Sequence, residues 1–589
     1  MKNKFNTIKL IKDLLPFLWT NQEKIRELFL LSFFLIFITI GLNLSIPIIL
    51  KIIILDLSLT NGNMSYQLFI LLVASGFIWT FSHCIQQIRQ IIMVRPLERG
   101  LRLFCSNFFN HLHSLPISFH VDKKIGSLTN AIERAQKGLP DVFWGLFLIV
   151  IPTIIELLLS SGILCYLYGP VYGLILLVCL TFFILFSAHA LKWLTVIQKE
   201  ANEQQGETNA IIVDSLINFA SVKYFNNKAH EIAKCDKNLK LREKLVIKYV
   251  SSMELVRIGH HIIIGLGITL LTYTAGKQVV AGIYNVSDFI LINGYILQLA
   301  VPLGHMGFVS RDIRRGLNEM SSVMDIYKMP TVSNSEKSEK NLNNINHICF
   351  KDVSFRYDNS RTILRNINFS LKKGETIGIV GETGSGKSTI ANLLFNFYNV
   401  YSGEILINGK NINKIKSENL CSLLGIVSQD TTLFNTTIYD NILFGNPKAS
   451  QEEVEKVIKI AHLDSFLKKL PDHYYTLVGE RGLKLSGGEK QRIIIARVLL
   501  KKPSLYIFDE ATSSLDLETE KNIMSNIKEI SSKTSSIIIA HRLTTVMHAN
   551  EILVIRNGLI QERGNHQKLL KNDGPYASLW KSQSKSLIF

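Results

Sequence analysis

The sequence predicts two fold classes in tandem: an all-α membrane half of six spanning helices, followed by an α/β half built round a phosphate-binding loop. Three observations carry this. Six long apolar segments follow one another between Leu28 and Val309. Past Glu319 the composition turns polar, and strand and helix patterns then alternate from Ile348 onward. Within that second half, residues 381–388 read Gly-Glu-Thr-Gly-Ser-Gly-Lys-Ser.

The bulk numbers agree. The chain has 589 residues, 47% of them hydrophobic, with a formal net charge of +18. That is too long and too apolar for one soluble domain. A basic balance of this kind fits Lys- and Arg-rich cytoplasmic loops of a membrane protein better than a nucleic-acid partner. The seven cysteines are scattered, with no Cys-x-x-Cys pair, so neither a disulfide framework nor a zinc site is expected.

A bilayer core needs about 20 apolar helical residues. The segments that qualify are Leu28–Ile54, Gln67–Ile92, Val142–Tyr168, Val171–Trp193, Ile258–Val280 and Val286–Val309. Any one alone could be a buried helix of a soluble protein; six in succession argue for membrane spans. The loop Asp56–Ser65 has no Lys or Arg, and Tyr168-Gly169-Pro170 is a tight uncharged turn. The two long connections carry the positive charge, with Arg95, Arg99, Arg102, Lys123, Lys124 and Arg134 in the first and Lys192 through Lys248 in the second. The positive-inside rule places both in the cytoplasm, with both termini. Loops this long usually have a job. The spans are expected to continue into them as helices, with Ser118–Ser127 and Thr208–Tyr224 as contact segments. The first residues are Lys-rich and mixed, without the pattern of a cleavable signal or a mitochondrial presequence. The expected domains are 1–328 for the membrane half, 329–347 for the linker and 348–589 for the α/β half.

The glycine-rich run lies between the strand Thr376–Val380 and the helix Ser388–Phe395, the context that gives it meaning. Gly381, Gly384 and Gly386 let backbone N–H groups approach phosphate oxygens; Glu382, Thr383, Ser385 and Thr389 complete the cradle. Lys387 would reach the β- and γ-phosphates of ATP, and Ser388 would ligate Mg2+. The apolar strand Leu505–Phe508 ends in Asp509-Glu510. Asp509 suits the Mg2+ shell, and Glu510 is placed to deprotonate an attacking water. Paired acids after a strand mean little alone; beside a phosphate loop they mean more.

With these residues in hand, the second half resembles the ATPase domain of the ABC transporters, over about 348–589. The resemblance implies roles. Tyr357 would stack on adenine. Gln429 would sense Mg2+ and the attacking water. Ser486 and Gly488, in Leu485-Ser486-Gly487-Gly488-Glu489, would bind the γ-phosphate held by a second subunit. Ser514-Leu515-Asp516 would cross the dimer interface, and His541 would sense the γ-phosphate. One chain has one phosphate loop and must borrow Ser486 and Gly488, so a homodimer with two equal sites is the simplest assembly, a heterodimer with a close relative the alternative. Six spans ahead of the ATPase exclude a soluble ABC protein acting on nucleic acid or ribosomes.

The membrane half is similar to the Atm-type exporters. The resemblance rests on His111-Leu112-His113-Ser114-Leu115, Ala131-Ile132-Glu133-Arg134, Ile151-Pro152-Thr153 with Glu156, Asp214 through Phe219, and Leu291-Ile292-Asn293-Gly294. It implies glutathione derivatives as cargo, in a bacterial inner membrane or a mitochondrial-type one. Two departures stand out. Arg257 and His260 occupy positions that are an Asn and a Gln in the family's pocket. Leu194, Val196 and Gln198 stand where basic residues follow the fourth-helix Trp, here Trp193. Arg311 and Arg314 are retained. The cargo site is therefore expected at Arg257, His260, Arg311 and Arg314, for an anionic compound. A lipid or multidrug exporter of the same fold is the alternative. Arg257 could instead pair with Glu254 on its own helix face. His260, His261 and His305 could hold a metal, but no carboxylate or cysteine joins them at ligand spacing.

Overall fold

The computed structural model describes residues 7–19, 24–59, 66–122, 125–331, 342–357, 361–429, 432–479, 482, 485–510 and 534–585. They form two compact units, Met1–Ser114 with Lys123–Met329, and Leu115–Asp122 with Pro330–Phe589.

The first unit is helical. Its principal helices are α1 (Thr7–Leu18), α2 (Ile25–Leu59) and α3 (Tyr66–His113). After α4 (Ile117–Asp122), a short helix that belongs to the second unit, come α5 (Ile125–Trp144), α6 (Ile151–Tyr168), α7 (Pro170–Ile217), α8 (Phe219–Tyr224), α9 (Lys228–Val280) and α10 (Val286–Tyr327). Among the described residues, six helical stretches are long and apolar enough to cross a membrane. The 53 residues of α9 would extend about 80 Å at the α-helical rise, far beyond a bilayer core. Helix α7, at 48 residues, also overshoots it. The expected continuation of the spans past the membrane is what the helices do.

The third span is a composite. Helix α5 passes into α6 through a π-helical turn at Gly145–Val150. The cause is legible in the covalent chemistry. Pro152 lacks an N–H, so it cannot satisfy the carbonyl of Leu148 four residues earlier. Nη2 of buried Arg89 on α3 donates to that carbonyl at 3.2 Å. A cation inside the membrane half thus satisfies backbone that proline has left open.

In lipid the apolar effect does not drive helices together, so packing and polar pairs must hold the bundle. Ile36, Ile40, Leu157, Leu164, Leu271, Leu291 and Tyr295 form the apolar seam. Two polar clusters cross it. In one, Glu156 of α6 accepts from Gln298 of α10 at 2.6 Å and from Asn43 of α2 at 3.4 Å. In the other, Lys51 of α2 pairs with Asp288 of α10 at 2.6 Å, while the Tyr168 hydroxyl donates to Asp288 at 2.7 Å. Asp288 also closes a capping box with Asn285 at the start of α10.

The second unit carries two sheets. An antiparallel sheet runs β2 (Thr362–Lys372), β1 (His347–Arg356), β4 (Ser402–Ile407), β5 (Lys410–Asn411). A six-stranded sheet has the order β10-β9-β3-β8-β7-β6, from β3 (Thr376–Gly381), β6 (Leu424–Val427), β7 (Leu505–Asp509), β8 (Ser535–Ile539), β9 (Glu551–Arg556) and β10 (Leu559–Gly564). Its five strands from β9 to β6 are parallel, and β10 joins antiparallel. Parallel strands covered on both faces read as unbroken apolar runs, as Leu505–Phe508 does; every residue of β7 and β8 is buried. The sheet order brings the ends of β3, β6, β7 and β8 side by side, the edge at which α/β sheets bind ligands.

Candidate functional site: an ATP site and a membrane cavity

The end of β3 turns into the phosphate loop, and helix α11 (Lys387–Leu394) follows. Two glycines are required here. Gly381 has φ +155°, and a Cβ there would strike the carbonyl oxygen of Ile555 on β9. Gly386 has φ +101°, at the N-cap of α11, with Leu364 pressed against it. Side-chain-bearing residues are strained in such backbone.

Lys387 is buried, and its ammonium donates to the carbonyls of Gly381 and Glu382, both at 2.9 Å. Burial pushes its pKa down, while the nearby carboxylates of Glu510 and Asp509 oppose that shift. Asp509, at the end of β7, is buried too. Desolvation pushes its carboxyl up; a hydrogen bond with Ser388 and the charges of Lys387 and His541 pull the other way, while Glu510 adds to the rise. Its Oδ1 is buried with no hydrogen-bond partner. A buried, unsatisfied carboxylate oxygen next to the Ser388 hydroxyl is a donor set for a hard cation, so these two residues fit Mg2+.

Glu510 follows with φ +53°, in the left-handed region. Its backbone is held from two sides. The N–H donates to the Ile539 carbonyl at 2.9 Å, and buried Gln491 donates to its carbonyl at 3.3 Å. Its carboxylate is held as well: Oε1 lies 2.7 Å from Nε2 of His541, and Oε2 accepts from Gln429 at 2.8 Å. Thr383, Gly384, Gly386, Lys387, Ser388, Thr389, Gln429, Glu510 and His541 line one cavity of about 860 Å³, its open mouth included. Residues separated by more than 150 positions in the sequence meet there because four strand ends meet there.

Other expected residues lie elsewhere. Tyr357 follows β1 and packs edge-on against Phe355 and Tyr398, at 4.8 and 5.0 Å between centroids. Glu382 pairs with Arg556 at 3.3 Å. Ser385 is buried, with its Oγ unpartnered. Ser486 and Gly488 do not line the cavity. Ser486 is the N-cap of α16 (Gly487–Lys501; α12 to α15 precede it between Ser417 and Leu467), in a reciprocal box with Glu489. The Ser514-Leu515-Asp516 segment lies outside the described residues. Sequence reasoning did not single out Gln491 for this site; only its place one turn into α16 could have pointed to it.

The membrane half has a cleft of about 450 Å³, its open mouth included, between α7, α9 and α10. Arg257, His260 and Arg311 line it, with Ser187, Leu194, Val256 and Phe308 among the others. Arg257 pairs with Glu254 at 3.0 Å, and its guanidinium also lies over the Phe308 ring, 4.2 Å from the centroid. Arg311 approaches the same ring at 5.5 Å and bonds Asp312. His260 is buried, stacked on Phe183 at 4.4 Å, with Nε2 2.8 Å from the Ser187 hydroxyl. Arg314 is not among the lining residues; its Nη1 reaches the Thr195 hydroxyl at 3.4 Å. Phe308 is the residue that sequence reading missed here, since one more apolar residue in a span carries no signal.

Comparison with known proteins agrees with this architecture. Residues 29–303 match the ABC transporter transmembrane region, and residues 364–513 match the ABC transporter family. The chain is 36% identical over 593 residues to the mitochondrial iron-sulfur clusters transporter atm1 of Aspergillus fumigatus, covering 98% of this chain and 81% of that protein. It is 35% identical to the human mitochondrial iron-sulfur clusters transporter ABCB7, over 98% of this chain and 79% of that one. A bacterial Atm1-family ABC exporter solved with ATP bound superposes with a TM-score of 0.89 at 33% identity, over 96% of this chain and 99% of that one. This chain, six membrane helices joined to one ATPase, therefore belongs to the Atm1/ABCB7 family of ABC transporters and is an ATP-driven exporter.

Proposed function

We propose that two copies of the chain form a homodimer that exports a small anionic, glutathione-linked compound. The observation that carries the cargo reading is the pair Arg257 and Arg311, which bring two guanidinium groups to one ring in a membrane cavity. Cations at that depth are costly unless they face water, a counter-ion or an anionic ligand. A carboxylate-bearing cargo would compete with Glu254 for Arg257. The relatives named for iron–sulfur clusters fit a cargo of related chemistry. The membrane half is 1–328, the linker 329–347 and the ATPase 348–589. The membrane is a bacterial inner membrane, or a mitochondrial-type one.

Hydrolysis follows from the cavity at the strand ends. Lys387 and the loop amides bind the phosphates, and Tyr357 stacks on adenine. Ser388 and Asp509 would hold Mg2+, which supplies charge neutralisation on the phosphate oxygens. Glu510 takes the proton of the attacking water, which Gln429 and His541 help to orient. Ser486 and Gly488, away from the cavity of their own chain, serve the partner copy's γ-phosphate. Each copy also leaves Leu216, Ile217, Phe219, Tyr224 and Phe225 exposed on the inner connection, a surface suited to burial against a second copy.

The dimer is tested by mixing chains. Lys387→Ala and Ser486→Arg chains each fail alone; mixed, they regain part of the ATPase activity in heterodimers with one intact site. Full activity from isolated monomers refutes it. The cargo is tested in proteoliposomes by uptake and by ATPase stimulation with oxidised glutathione, lipids and dyes. A second reading, lipid or multidrug export, is favoured by Leu191, Leu194, Val256 and Phe308 in the cavity wall; stimulation by neutral lipids or dyes alone would establish it.

A further inference from the structure

We infer that Gln583, on the C-terminal helix, is a positioning residue for ATP hydrolysis that acts through His541. This rests on the proposed role of His541 at the γ-phosphate.

The geometry is local and two-sided. His541, Arg542 and Leu543 turn the chain from the end of β8 into a short helix, Leu543–Val546. The first N–H groups of a helix have no partner of their own. Arg542, at the N-cap, has no side-chain acceptor to offer, and no cap bond forms there. Gln583 supplies it from 40 residues further along: its Oε1 accepts from the Leu543 N–H at 2.9 Å. Its Nε2 donates to the carbonyl of His541 at 2.6 Å. One primary amide thus clamps both ends of the three-residue turn that carries the histidine.

The clamp has a firm base. Tyr576, near the start of the helix Pro575–Lys585, is fully buried. Its N–H donates to Glu562 at 2.8 Å, and its hydroxyl lies 2.8 Å from Nδ1 of His566. Trp580 stands edge-on to the same imidazole at 4.6 Å. The helix is therefore pinned to β10 and to His566 two turns before Gln583, at Tyr576, and again to His566 about one turn before it, at Trp580. From Gln583 the contacts continue through the His541 backbone and ring to Glu510 at 2.7 Å. Strand β8 fixes where the turn begins; Gln583 fixes how it ends, and so where the ring points. A displacement near 1 Å at a reacting centre can cost up to ~10²-fold in rate.

The test uses the full-length transporter and four variants, read as kcat and as KM for ATP. Gln583→Met keeps the length and loses both bonds. It is expected to lower kcat about tenfold with KM unchanged, because ATP binding rests on the phosphate loop. Gln583→Glu keeps the acceptor but, when ionised, cannot donate to the His541 carbonyl. Its kcat relative to the unaltered chain should rise as pH falls from about 8 towards about 4.5, where a carboxyl of ordinary pKa, about 4.3, regains a proton to donate. A merely structural defect would not recover on acidification. His541→Ala should lower kcat further than Gln583→Met does, to a residual rate that is still measured, and combining the two should add no further loss. The inference is overturned if Gln583→Met keeps the unaltered kcat while His541→Ala does not, if the two losses multiply, or if KM rises in place of a fall in kcat. Unaltered kcat in His541→Ala removes the proposed role of the histidine, and this inference with it.

Discussion

The ATP site and the membrane cavity are built on opposite principles. Around the nucleotide site the backbone decides. Strand ends aim Lys387, Asp509, Glu510, Gln429 and His541, and left-handed residues set the turns between them. In the membrane cavity the backbone is plain helix on every side, and character comes from side chains alone: two arginines, one phenylalanine, one stacked histidine. A site set by backbone tolerates little change. A site set by side chains on uniform helices can be re-tuned residue by residue.

The largest effect should come from Glu510, the carboxylate proposed as general base. Glu510→Gln is expected to lower kcat by ~10²–10⁴-fold, as loss of a general base does, while nucleotide binding persists. Turnover and trapped-nucleotide assays together check this; near-normal turnover would remove Glu510 from that role.

Gly381→Ala strikes the backbone itself. The new Cβ would run into the Ile555 carbonyl, and φ of +155° is foreign to alanine. About 1–3 kcal/mol of strain, with loss of ATP binding, is expected. Thermal unfolding and nucleotide titration measure both. Unchanged ATP affinity would show that the loop can move away from β9 at little cost.

Arg257→Gln removes one guanidinium from the membrane cavity. Stimulation of ATPase by oxidised glutathione should then need about tenfold more ligand, the size of one charge-assisted hydrogen bond, with KM for ATP unchanged. Unaltered stimulation would favour the lipid or drug reading.

The smallest effect is Gly304→Ala, in the wall of the same cavity. Its Cβ would meet only Cε1 of His261, at 3.8 Å, an ordinary contact. Stability should stay within about 0.5 kcal/mol. If Gly304→Ala proves as damaging as Gly381→Ala, the distinction between the two sites fails.

Much of the ATP site was legible because its chemistry is written in adjacent residues. The run 381–388 names its own loop, and Asp509-Glu510 follows its own strand. The cavity was legible only as candidates. Arg257 invited two readings, an ion pair with Glu254 or a free cation for cargo. The structure pairs it with Glu254 and also lays it on Phe308, a contact made across two helices that sequence spacing does not encode. His260 was read as a cargo contact; its ring is stacked on Phe183 with one nitrogen at Ser187, so it shapes the wall as much as it faces the cavity.

By itself the sequence determined the six apolar lengths, the glycines of the phosphate loop and the order of strands and acids. Each is a local property: a length matched to a bilayer, a backbone angle only glycine adopts readily, a carboxylate after an apolar strand. Tertiary structure alone decided which distant groups meet. Pro152 frees the Leu148 carbonyl, but only helix packing brings Arg89 to it. Parallel pairing of β3, β6, β7 and β8 gathers the ATP residues, and the fold of the last helix returns Gln583 to His541. The reason is physical. Local chain geometry is fixed by covalent sterics within a few residues, whereas a hydrogen bond between Gln583 and His541 depends on every element that packs between them.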